Sequence, residues 1–85
     1  MTTATSITQT VRAVFSTVIG AQATSRIEDE AKLFGDHLID SLHLVELIHR
    51  LEDAFRLRVE PDELSPENFE SIAAISRYVG TKLDG

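Results

Sequence analysis

The sequence predicts an all-α fold, a small four-helix bundle of three long helices and one short third helix, with a long loop between helices 1 and 2. Three observations predict it. Apolar residues recur at three-and-four spacing over three separate stretches. Gly20, Pro61 and Pro66 punctuate the chain between those stretches. No pair of alternating segments suggests strands, and no internal repeat or low-complexity tract appears. Eighty-five residues make a single domain over 1–85, with residues 1–4 expected to be disordered.

The first helix is expected over residues 5–19, where Ile7, Val11, Val14, Phe15, Val18 and Ile19 form one stripe and Gly20 stops it. From Ala21 to Asp40 the periodicity fades, which reads as a long loop pinned by Leu33 and Phe34. Loops of this length in a compact domain tend to carry function. The second helix, about 41–56, is the clearest: Leu44, Leu47, Ile48, Leu51, Ala54 and Phe55 share a face. An acidic linker follows, with Ser65 as N-cap and Pro66 opening a short turn of helix through Phe69. Ser71 then caps the last helix, whose apolar face is Ile72, Ile75, Val79 and Leu83 with Tyr78 beside them; Gly80 weakens its end.

Composition narrows the function. A chain this short buries only about 60% of its unfolded surface, so a deep catalytic cavity is not expected. Cysteine is absent, which removes disulfides, thiolate ligands and a cysteine nucleophile; any thiol chemistry must come from an added group. The net charge of −6 disfavours nucleic acid and anionic membranes. Residues 36–70 hold ten acids against Arg50, Arg56 and Arg58, so basic partners are favoured there. No basic leader, apolar leader core or membrane-length apolar run is present, and a cytoplasmic protein is expected. No oligomerisation signal appears either, so a monomer is expected.

Asp40, Ser41 and Leu42 stand where the long loop meets the strongest helix. The first N–H groups of a helix lack partners and its dipole is positive there, so a phosphate on Ser41 would be well placed. On the dipeptide alone, simple N-capping by Asp40 or Ser41 is the commoner meaning. Capping and modification are compatible.

The wider context resembles the acyl carrier protein family. The matching features are Leu33-Phe34, Asp40-Ser41-Leu42 at a helix head, Val45-Glu46-Leu47 after it, and Leu51-Glu52-Asp53 with Phe55 closing it. Downstream, the stretch from Pro61 to Ile72 is similar to the third-helix segment of discrete aminoacyl and peptidyl carrier proteins, including the D-alanyl carrier group. The resemblance implies that Ser41 receives 4′-phosphopantetheine from coenzyme A through a magnesium-dependent phosphopantetheinyl transferase, with Asp40 assisting. It further implies a carrier and not an enzyme, which holds an acyl or aminoacyl group as a thioester. Its partners would be that transferase, an acyl- or aminoacyl-loading ligase and downstream acyl-transfer enzymes. Leu42 and Val45, apolar residues off the core stripe, with Glu46, His49 and Asp53, make the expected partner-binding surface; the family positions matching Leu42 and Glu46 meet the transferase and client enzymes. His43, His49 and Arg50 interrupt the acids of the second helix, which sets the chain apart from housekeeping fatty-acid carriers.

Other readings are weaker. A six-residue step turns a helix by about 600°, so His43 and His49 point to different faces, and together with His37 they are not expected to bind a metal. Surface pairs are expected instead, Glu46 with Arg50 and His49 with Asp53. Ser41 lacks the glycine-flanked elbow of a hydrolase, and the acidic segment lacks the ligand spacing of a calcium loop. The rival from another class is an acidic helical interaction adaptor without a prosthetic group, separated from a carrier only by the Asp40-Ser41-Leu42 context.

Overall fold

The computed structural model describes residues 3–34 and 40–84, and the described chain is all-helical. Its elements are α1 (Thr3–Ile19), α2 (Ala21–Ser25), α3 (Ser41–Phe55), a 3₁₀ turn (Pro61–Glu63), α4 (Pro66–Phe69) and α5 (Ile72–Asp84). Helix α1 packs against α2, α3 and α5, and α4 packs against α5. The core joins Ile7, Val11, Val14 and Phe15 of α1 to Leu47 and Leu51 of α3. Ile72, Ile75, Tyr78 and Val79 of α5 complete it, closed by Ile27, Leu33 and Phe69. Burial of these side chains is what orders the short helices, since isolated segments of four or five residues cannot sustain helix in water.

Four local outcomes differ from the sequence expectation. Helix α1 starts at Thr3, two residues before the expected start at residue 5; Met1 and Thr2 lie outside the described residues. The loop after it opens with α2, launched by Gly20 at φ 98, a left-handed conformation that costs glycine little. Ala54 is exposed, because only Leu47 and Leu51 of the α3 stripe reach full burial while Leu44, Ile48 and Phe55 flank them half-buried. Leu83 is 47% exposed, since α5 has outrun the core by its last turn.

The loop itself is held by polar contacts. Arg12 on α1 donates to the carbonyls of Thr24 (3.2 Å) and Ile27 (2.7 Å) and pairs with Asp29 at 2.6 Å. The Leu33 N–H donates to the Glu70 carbonyl at 2.8 Å, and the Ala73 N–H to the Asp29 carbonyl at 2.8 Å. Leu33, fully buried, is thus pinned by both its side chain and its backbone. Of the two expected caps, Ser71 accepts from the Ala74 N–H at 3.0 Å, whereas the Ser65 side chain caps nothing and only Pro66 marks the start of α4.

Gly80 lies inside α5, and a Cβ there would meet Ile7 Cδ1 at 3.6 Å, an ordinary contact. Gly80→Ala is therefore expected to stabilise the domain by about 0.5–1 kcal/mol through helix propensity. A thermal melt checks this; a lowered midpoint would mean that Ile7 cannot accommodate the methyl.

Candidate functional site

Helix α3 begins because Asp40 caps it. Asp40 is extended (φ −112, ψ −171), its Oδ1 accepts the His43 N–H at 2.9 Å, and its own carbonyl accepts the Leu44 N–H. That backbone donor, aided by the His43 ring, holds the Asp40 carboxyl below its ordinary range. His43 Nδ1 lies 3.2 Å from the same oxygen without hydrogen-bond geometry, so that contact becomes an ion pair only when the ring is protonated. Asp40, and not Ser41, therefore does the capping.

Ser41 is the first residue of α3 and is exposed. Among the described residues its hydroxyl has no hydrogen-bond partner. The geometry combines an open hydroxyl, a helix N-terminus that favours a phosphate ester, and an ionised neighbour. These residues fit a covalently attached phosphodiester.

The remaining candidates run along the same helix. At about 100° per residue, Ser41, Leu42, Val45, Glu46, His49 and Asp53 share one arc of about 140°, opposite Leu47 and Leu51. All six are exposed, Leu42 at 80% and Val45 at 52%. Glu46 and Arg50 form the expected pair at 2.9 Å, whereas His49 and Asp53 make no ion pair. Exposed apolar residues of this size beside an exposed serine, with Asp40, Glu46 and Asp53 nearby, suit contact with a partner. His37 lies outside the described residues. Among the described residues no group of three or more His, Cys, Asp or Glu side chains could hold a metal ion, and no helix is long and apolar enough to cross a membrane.

The sequence did not reveal an apolar groove of about 310 Å³ that opens between α3 and α4. Phe34, Leu44, Leu64, Ser65, Pro66 and Phe69 line it. Leu44 is one helical turn from Ser41, so the groove starts beside the candidate attachment point. No single motif encodes it, because its walls come from three separate segments; the Leu33-Phe34 pair was the one visible signal.

Comparison with known proteins returns a family and a solved structure of the same fold. A family model described as a phosphopantetheine attachment site matches residues 9–79. The solution NMR structure of a holo acyl carrier protein from Nitrosomonas europaea superimposes with a TM-score of 0.79 at 26% identity, covering 92% of this chain and 96% of that one. Among curated proteins none matches significantly.

Proposed function

We propose, from the premise that this chain belongs to the phosphopantetheine-binding carrier family, that Ser41 is the residue that bears the arm and that the cargo is a small acyl or aminoacyl group. A carrier of this family binds 4′-phosphopantetheine covalently and performs no catalysis itself. One observation carries the assignment to Ser41: its exposed hydroxyl, without a hydrogen-bond partner among the described residues, stands at the head of α3 directly after the capping Asp40. In loading, Ser41 Oγ attacks the pantetheine-side phosphorus of coenzyme A. An Oγ–P bond forms, the pyrophosphate P–O bond breaks, adenosine bisphosphate leaves, and the hydroxyl proton passes to a base of the transferase. Asp40, held ionised by its own capping role, assists that encounter at the magnesium-dependent transferase. When attached, the arm supplies the thiol that a cysteine-free chain lacks, and that thiol holds cargo as a reactive thioester.

The groove supports a small cargo. Among the described residues its lining carries no charged side chain, so an aliphatic portion would settle there while any amino group stays at the acidic surface. Incubation with coenzyme A, magnesium and a broad-specificity phosphopantetheinyl transferase, followed by intact mass and peptide mapping, tests the assignment. One adduct on Ser41 supports it; an unmodified chain would mean an adaptor that uses the same acidic face without an arm.

The exposed arc of α3 is the proposed meeting surface for the transferase, a loading ligase and downstream acyl-transfer enzymes. Charge steers such encounters and apolar contact follows docking. Leu42→Ala and Glu46→Lys are expected to slow loading several-fold and to change its salt dependence while leaving the melting midpoint nearly unchanged, because both side chains are exposed. Parental loading rates across a salt series would move the recognition surface elsewhere.

A further inference from the structure

Glu63 is the most heavily engaged carboxylate among the described residues, and none of its contacts belongs to the Ser41 site. Its Oε1 accepts from the Glu60 N–H at 2.9 Å, from the Tyr78 hydroxyl at 2.9 Å and from Lys82 Nζ at 2.9 Å; Oε2 lies 3.2 Å from the same ammonium. The Glu60 bond is the returning half of a capping box on the 3₁₀ turn. Tyr78 and Lys82 both stand on α5, four residues apart and therefore on one face. The Glu63 backbone is engaged as well. Its carbonyl accepts from the Ser65 N–H at 2.9 Å and from Asn68 Nδ2 at 2.8 Å.

Tyr78 has a second contact, since its ring meets Phe69 with centroids 5.3 Å apart at an interplanar angle of 52°. Phe69 lines the groove, and so do Leu64, Ser65 and Pro66, the residues that directly follow Glu63. One α5 side chain therefore grips the groove through Phe69 and, through Glu63, the segment that carries Leu64 to Pro66. Burial, reinforced by the Glu63 carboxylate, pushes the Tyr78 hydroxyl above its ordinary range, so it remains a donor. The Glu60 N–H and Lys82 hold the Glu63 carboxyl below its ordinary range, so it remains an acceptor.

We infer that Glu63, Tyr78 and Lys82 are positioning residues that set the shape of the groove between α3 and α4, and thereby how well an aliphatic cargo on Ser41 is sheltered from water. The inference rests on the reading of Ser41 as the attachment site. A loop wall fixed only by Leu64 and Pro66, which are largely exposed, would have little to hold it against the helices. Tying that wall to α5 fixes it to the core, because α5 contributes Ile72, Ile75 and Val79 at full burial.

The test loads Ser41 directly, using butyryl- and glycyl-coenzyme A with a broad-specificity transferase, on the parent chain and on Tyr78→Phe and Glu63→Gln. Tyr78→Phe keeps the ring against Phe69 and removes only the hydroxyl. Cleavage of each thioester by hydroxylamine is compared with that of the same thioester on free pantetheine. The parent is expected to protect the butyryl thioester several-fold, and each variant to lose at least half of that protection. The glycyl thioester, with no apolar chain to shelter, should be cleaved at one rate in all three proteins. A failure of loading would count against Ser41 and so remove the ground of the inference. Loaded proteins in which the parent gives no butyryl protection, or in which the variants protect like the parent, would overturn it. A loss that affects both cargoes equally would overturn it too, by assigning the cluster to general stability. Should either variant melt below the assay temperature, Lys82→Met, which keeps the side-chain stem, is measured in its place and judged by the same outcomes.

Discussion

Ser41→Ala is expected to abolish loading completely: no mass gain with coenzyme A, magnesium and transferase, at a melting midpoint close to the parent's. The first half follows from chemistry, because alanine offers no nucleophile and the chain has no cysteine to substitute. The second follows from structure. The Ser41 side chain is exposed and makes no hydrogen bond among the described residues, and Asp40 supplies the cap, so alanine at the first helical position removes nothing that holds α3. Four other serines are poorly suited to replace it. The hydroxyls of Ser16, Ser25 and Ser76 donate to backbone carbonyls, and Ser71 is buried as the cap of α5. Asp40→Ala is the informative companion, since it leaves the nucleophile intact while removing both the cap and the neighbouring charge. Its loading should be slowed and not abolished. An adduct on the Ser41→Ala chain, at whatever residue, would overturn the attachment site.

What the sequence disclosed and what it hid divide along physical lines. Helix α3 and its head were legible because both signals are local: a 3.6-residue apolar stripe, and an Asp-Ser pair placed where the stripe begins. The same holds for Ser71 and for the start of α4, where Pro66 can only sit early in a helix. Helix α2 was not legible, since five residues, Ala21–Ser25, show no period and owe their turn to Gly20 and to the buried Thr24 packed beneath. The role of Arg12 was hidden for another reason. Its partners Thr24, Ile27 and Asp29 lie 12 to 17 residues away, and nothing in a lone arginine on an amphipathic helix says that it will bridge to loop carbonyls. The groove and the cluster around Glu63 are likewise products of tertiary packing. Ala54 and Leu83 show the converse, since the apolar stripes of α3 and α5 run on past the place where neighbouring helices stop covering them.

Leu51→Ala is expected to destabilise the domain by about 2–5 kcal/mol, the range for removing a fully buried leucine. Native domains have only about 5–15 kcal/mol in total, and one of this size sits toward the low end, so marked softening or outright unfolding should result. Leu51 has no exposed surface, and the core around it includes Val14 and Phe15 of α1 and Ile75 and Val79 of α5. Close packing leaves the surroundings little freedom to collapse into the space vacated by three carbons. Leu42→Ala deletes the same atoms from the same helix, yet Leu42 is 80% exposed, so it should move the midpoint very little. Urea unfolding of the two variants, followed by helical circular dichroism, makes the comparison at constant chemistry. The predicted result is a large fall in midpoint for Leu51→Ala, at an unchanged slope, beside a near-parental curve for Leu42→Ala. The reverse order would mean that α3 is rotated about its axis. The arc holding Ser41, Leu42, Val45 and Glu46 would then face the core, and the open hydroxyl on which the attachment rests would be lost.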